Sequence, residues 1–267
     1  MNTTRLQQVA VLLICLTLTP FLSADWNTFV IRDGTTTSPT IQDNSEYGVA
    51  AKEFVIFESG QKAGWGSDDI NGIAISNITQ LTITRHDDTT RFSSGSGSAV
   101  APYFNIWVTD GAGHYAVVAN EPSNPDFQPL FQENPDGSIT YDLSYHDLAD
   151  KRAKVYETPG WNDGTSWVHT LCGSDPLTFA DVADLEIAAP PASYIQDPAN
   201  EVGSGAPDEL GTDTAYGVTW VFGDTLSNYV SGDEGYVVSG PSAIPEPATM
   251  ALLGLGGLGV LTRRRRA

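Results

Sequence analysis

Residues 103–109 read Tyr-Phe-Asn-Ile-Trp-Val-Thr, with Phe104, Ile106 and Val108 on one face. The turn Asp110-Gly111-Ala112-Gly113 follows, and residues 114–119 run on as a second β-prone stretch. Period-two alternation around a glycine turn predicts a β-hairpin. Similar short runs recur at residues 28–32, 53–58, 81–84, 138–143, 154–157, 167–171, 184–188, 216–222 and 235–239, with turn-forming residues between them. Residues 35–45 and 64–69 read as loops and residues 91–98 as a flexible Gly/Ser stretch. Only residues 144–152 have a helical look. Roughly ten to twelve short strands, without a strand–helix–strand rhythm, point away from a parallel α/β fold. The expected fold is all-β: a single antiparallel two-sheet β-sandwich, jelly-roll-like. About 215 residues lie between the terminal segments, enough for one domain at residues 25–243 with a sizeable core. The Pro/Gly-rich stretch at 190–211 leaves too little chain behind it to form a second domain.

Both ends of the chain carry targeting features. At the N-terminus, Arg5 precedes an apolar run at residues 9–18, Pro20 and the cleavage-like Leu22-Ser23-Ala24. Residues 1–24 therefore read as a signal peptide for the Sec machinery. Cys15 lacks the small preceding residue that lipoprotein processing needs, so it is expected to leave with the signal. At the C-terminus, Pro245-Glu246-Pro247 is followed by 14 uncharged residues at 248–261 and then Arg263, Arg264, Arg265 and Arg266. As a helix the uncharged run spans roughly 21 Å, short of the about 30 Å hydrocarbon core of a bilayer. Gly254, Gly256, Gly257 and Gly259 weaken such a helix further. The expectation is a short apolar helix used for targeting, with a retained membrane helix as the alternative. The arginines orient it with its C-terminus in the cytoplasm, and the prolines keep the motif before it extended and accessible.

These three parts, in this order at residues 244–267, resemble the PEP-CTERM sorting signal of bacterial exported proteins. The resemblance implies recognition by an exosortase-type membrane protease and cleavage near Pro245-Glu246-Pro247. It also implies transient anchoring in the inner membrane and a destination in the cell envelope or extracellular matrix, often that of a glycan-rich biofilm.

Charge narrows the partners of the exported body. Arg5 and the four terminal arginines are five of the 13 basic residues, leaving eight against 33 acidic ones. A body near −25 disfavours nucleic acid and anionic membrane surfaces, and favours solubility and cation association. Cys172 is then the single cysteine of the mature chain, which precludes an intramolecular disulfide, and its neighbour Leu171 suggests burial.

No catalytic motif stands out. The four histidines His86, His114, His146 and His169 have no paired zinc spacing, and neither a Gly-x-Ser-x-Gly elbow nor the Glu-x-Asp-x-x-Glu pattern of jelly-roll glucanases occurs. One threonine pair, Thr82 and Thr84, is too little for an ice-binding array. Of the two metals, the oxygen-rich loops suit calcium rather than zinc, with ordinary solvated loop acids as the competing reading. Asp68, Asp69 and Asn71 cluster beside Gly72, and Asp87-Asp88 follows an expected strand. Trp65, Trp161 and Trp167 fall in or beside glycine-rich loops, near Asp68, Asn162 and Asp163, and are candidates for stacking on sugars. Buried aromatics dominate cores, so a structural role competes at each. Trp107 and Trp220 are expected in strands, opposite the clearest apolar stripe. The first expectation is a non-enzymatic envelope or matrix component. The second is a lectin-like carbohydrate-binding module meeting extracellular polysaccharide. A polysaccharide-active enzyme comes third, without a motif in its favour.

Overall fold

The computed structural model describes residues 25–47, 50–58, 60–87, 102–120, 130–158, 167–173, 176–200, 202, 214–223 and 235–246. Their strands form two antiparallel sheets. The first sheet runs β1 (Asn27–Arg32), β4 (Lys62–Ser67), β12 (Val218–Gly223), β6 (Tyr103–Thr109), β7 (Tyr115–Ala119) and β10 (Lys154–Thr158), with β11 (Glu186–Ile187) also pairing with β6. The second runs β2 (Thr40–Asn44), β3 (Ala51–Val55), β13 (Tyr236–Pro245), β5 (Ile78–Arg85), β9 (Ile139–Leu143) and β8 (Phe131–Glu133).

Without the edge strands, the order β3-β13-β5-β9 faces β4-β12-β6-β7. Along the chain these strands change sheet at every step except the β6–β7 hairpin. That path is a jelly roll, as the strand rhythm led us to expect. Among the described residues three short α-helices interrupt it: α1 (Tyr145–Leu148), α2 (Trp167–Cys172) and α3 (Ala192–Gln196).

Alternation places Phe54, Leu81, Ile83, Phe104, Ile106 and Phe222 between the sheets, all with at most 2% exposure. Trp220 joins them, fully buried and edge-on to Phe104 at 5.8 Å. The expectation that Trp220 faces away from the apolar stripe is thus corrected: Val218, Trp220 and Phe222 share the inner face of β12. Trp107 does lie on the outer face, in a second apolar cluster with Val117 and Ala119 against which Tyr115, Tyr156, Val202 and Ala215 pack.

Three local readings are overturned. Residues 35–45 are not all loop, because Thr40–Asn44 form β2, the edge strand paired with β3. Residues 64–69 are not all loop, because β4 runs through Lys62–Ser67 and is buried on both faces. Gly64 and Gly66 look like turn residues but are strand residues pressed under neighbouring side chains. A Cβ at Gly66 would lie 2.5 Å from the Tyr216 ring, and one at Gly64 2.9 Å from the Phe29 ring. Glycine inside a strand marks such close approach. Residues 167–171 are not a strand but most of α2. The Glu157 carboxylate, from β10, accepts the Val168 and His169 amides at 3.1 and 3.2 Å. This tertiary cap outweighs the β-propensity of Trp-Val-His-Thr.

The residues read as a signal peptide (1–24) and the apolar run at 248–261 lie outside the described residues. Among those described, no helix is long and apolar enough to cross a membrane.

Candidate functional site

The last strand has two unlike halves. Tyr236–Ser239 pair with β3, and Val238 and Ser239 also with β5. At Gly240, whose φ of 59° suits glycine, the register shifts and the β3 ladder stops. Beyond it the ladder among the described residues is with β5 alone: Ser242 opposite Thr82, Ala243 opposite Leu81, Ile244 opposite Gln80 and Pro245 opposite Ile78. Pro245 has no N–H to donate and is tolerated in this outer half. Two further bonds hold the end down. Thr79 Oγ1 donates to the Ile244 carbonyl at 2.9 Å, and the Glu246 amide donates to the Asn77 carbonyl at 2.8 Å. Ala243 is buried and Ile244 is 43% exposed. Pro247 and Arg263, Arg264, Arg265 and Arg266 lie outside the described residues.

Beside this end, on the second sheet, runs an open groove of about 560 Å³. Thr79, Gln80, Gln132 and Asp142 line it with polar atoms, and Leu130 and Ile244 add apolar walls. Gln80 Nε2 donates to Asp142 Oδ1 at 3.3 Å, leaving an amide and a carboxylate side by side at the surface. Ser144 and Asp147, also in the lining, form the capping box that starts α1.

The tryptophans singled out in the sequence do not assemble into a sugar platform among the described residues. Trp65 is 7% exposed, with its ring inside the sandwich 6.1 Å from Phe54. The alternation of β4 turns Ala63 and Trp65 inward, so the loop placement behind the glycan assignment is corrected. Trp167 is half-buried against the core, and its Nε1 donates to the Tyr115 carbonyl at 3.3 Å. Trp161, with Asn162 and Asp163, lies outside the described residues.

Asp68, Asp69 and Asn71 do sit together, after β4. Asp68 Oδ1 accepts from Asn71 Nδ2 at 3.0 Å and from the Gly217 amide at 2.8 Å, which ties this turn to the start of β12. The Asp69 amide donates to Ser67 Oγ at 3.2 Å. Among the described residues no group of three or more His, Cys, Asp or Glu side chains gathers at metal-holding range. Asp87 is the buried partner of Arg85, at 2.7 Å, and Asp88 lies outside the described residues.

Several other titratable groups are built into the fold. His169 Nδ1 lies 2.5 Å from Glu157 Oε1, both buried, at the α2 cap. His114 Nδ1 lies 2.6 Å from Asp110 Oδ2 within the β6–β7 turn. Burial pulls the Asp110 carboxyl up, but hydrogen bonds from His114 and from the Ala112 amide outweigh it and hold the carboxyl below its usual range. Burial, aided by Asp181, Glu157 and Asp184, pushes the Cys172 thiol above its usual value, away from the reactive thiolate.

One segment of the chain matches a known family. The family model for the PEP-CTERM protein-sorting motif matches residues 243–266. No curated protein and no solved structure matches the chain with significance. The motif supports export and sorting by an exosortase, a membrane protease, with transient membrane anchoring before processing. Its first residues, Ala243 to Glu246, are the end of β13 and the residue after it. Sequence reading finds the motif but not the surface that holds it. Asn77, Thr79 and Gln80 carry no local signal linking them to a segment 165 residues away.

Proposed function

We propose that the jelly-roll domain is a non-enzymatic component of the cell envelope or extracellular matrix, delivered and then released through its C-terminal sorting signal. The observation that carries this reading is the sorting motif at residues 243–266, continuous with the last strand of the sandwich. The fate of the buried polar groups favours a structural role. Asp87 neutralises Arg85 and accepts a β13 amide. Glu157 caps a helix and holds His169. Mass spectrometry of the protein from its host tests delivery. The expected mature form lacks the tail, and a strain without the exosortase accumulates the uncleaved form. An intact Arg263 to Arg266 tail on most wild-type molecules would sink this reading.

A second reading, a lectin-like module, is favoured by the groove beside β13. Gln80, Gln132 and Asp142 offer amide and carboxylate groups next to Leu130 and Ile244, a mixture suited to a sugar's hydroxyls and C–H faces. A glycan array probed with the secreted protein separates the two. Binding that is lost in Asp142→Ala supports the lectin, and a blank array favours the purely structural role.

A further inference from the structure

We propose that the sandwich shields its own sorting motif, so that processing proceeds through local opening of the β13 end. This rests on the reading above that the motif is a processing signal.

A protease takes its substrate as an extended chain whose backbone bonds to the enzyme. Here the backbone of Ile244 to Glu246 is already engaged. Ile244 and Pro245 are in register with Gln80 and Ile78 of β5. Thr79 Oγ1 holds the Ile244 carbonyl, and Asn77 holds the Glu246 amide. Ala243, just before them, is an anchor in the core at 7% exposure. The motif therefore has no spacer separating it from the folded body, and the apolar run begins at Ala248, two residues past the docked Glu246. Cleavage near Pro245-Glu246-Pro247 needs this end lifted off β5.

The same segment is built to lift. Past Gly240 it pairs, among the described residues, with β5 alone, whereas Val238 and Ser239 pair with both β3 and β5. Few ladder bonds at the end of a strand put local opening at the low end of the range of opening free energies. When opening and closing are fast relative to cleavage, the rate follows the population of the open form. Weakening the dock should then accelerate processing without touching the motif.

Three full-length variants in the native host test this by pulse-chase. Thr79→Val removes one hydrogen bond to Ile244 and should raise the processing rate about fivefold. A short Gly-Ser linker inserted between Ala243 and Ile244 frees the motif and should raise it further, by more than about tenfold. Glu246→Ala alters the motif itself and should slow processing. Hydrogen exchange on the purified full-length protein gives an independent readout: the Glu246 amide should exchange at least about tenfold more slowly than in an unstructured peptide. Unchanged or slower processing of the Thr79→Val and linker variants overturns the shielding, as does unprotected exchange at Glu246. If neither the wild type nor the linker variant is processed while Glu246 is protected, the processing reading fails instead. An unprocessed wild type beside a processed linker variant supports complete shielding.

Discussion

Replacing Asp87 by Asn tests how far the buried ion pair at the end of β5 holds the sandwich together. The side chains of Arg85 and Asp87 are 1% and 0% exposed. Arg85 Nε donates to both carboxylate oxygens at 3.0 Å, and Nη2 donates to Oδ2 at 2.7 Å. The guanidinium carbon sits 5.0 Å from the centre of the Tyr236 ring, between the sheets. Burial alone would lower the Arg85 pKa, but the charge and hydrogen bonds of Asp87 outweigh it and leave the net shift upward. Arginine stays protonated when its partner is lost, so the variant buries a cation that has lost the carboxylate facing it. Breaking one side of a buried pair costs about 3–5 kcal/mol. Asn retains an oxygen for the Val237 amide, which Asp87 Oδ1 now accepts at 2.9 Å, so most of the loss is electrostatic. With a urea slope of about 2–3 kcal/mol per molar for a chain of this size, the midpoint should fall by roughly 1–2 M. Tryptophan fluorescence reports the transition, because Trp65 and Trp220 are in the core. The double variant Arg85→Met/Asp87→Asn removes both charges and should recover much of the loss. A midpoint shift below about 0.3 M for Asp87→Asn, or a double variant less stable than the single, would refute the argument.

Other perturbations follow from the same contacts. Gly66→Ala places a methyl 2.5 Å from the Tyr216 ring and should cost about 1–3 kcal/mol in urea unfolding, with the cost largely relieved when Tyr216→Ala is added; a neutral single variant contradicts the close approach. His86 is held below its ordinary value of 6.5, chiefly by burial, which outweighs Asp136 and Asp87. Its folded value being depressed, the unfolded chain takes up the proton first, so stability is complete above the unfolded value and declines as pH falls below it. Melting curves from pH 8 to about pH 5 should therefore show a steeper decline for the wild type than for His86→Phe, which keeps a ring against Tyr47, now 5.3 Å from His86. Parallel declines would exclude the histidine as the cause.

The jelly roll was legible where side chains announce it and hidden where they do not. β6 and β7 alternate and meet at a glycine turn, and both were readable to within a residue. β4 was not, because Gly64 and Gly66 leave their side-chain positions to Phe29, Thr219 and Tyr216, which come from distant parts of the chain. α2 was misread because its cap is a carboxylate on β10. Trp65 was assigned to a surface for the same reason that β4 was assigned to a loop: its glycine neighbours suggest a turn. The sorting signal was legible because it is a linear order of parts that a membrane enzyme reads as sequence. Its dock on Asn77 and Thr79 was hidden, since it depends on which strand β13 joins.

The placement of that strand explains how one segment serves both fold and address. β13 lies inside the second sheet, between β3 and β5. It is the last of the described strands, so the sheet cannot close until Tyr236–Ser239 have joined it. The apolar run follows almost at once, so closure of the sandwich and arrest of the tail occur at nearly the same point of the chain. A body with 32 acidic residues against eight basic ones is repelled by anionic lipid, so the tail supplies the attachment to the membrane. Release must then spare the strand that closes the sheet. The break at Gly240 separates the two tasks. A cut within Tyr236–Ser239 would sever the segment paired with β3 and leave a gap inside the sheet. A cut after Glu246 leaves every ladder bond of β13 in place, and even opening of residues 244–246 beforehand disturbs only an outer half-strand.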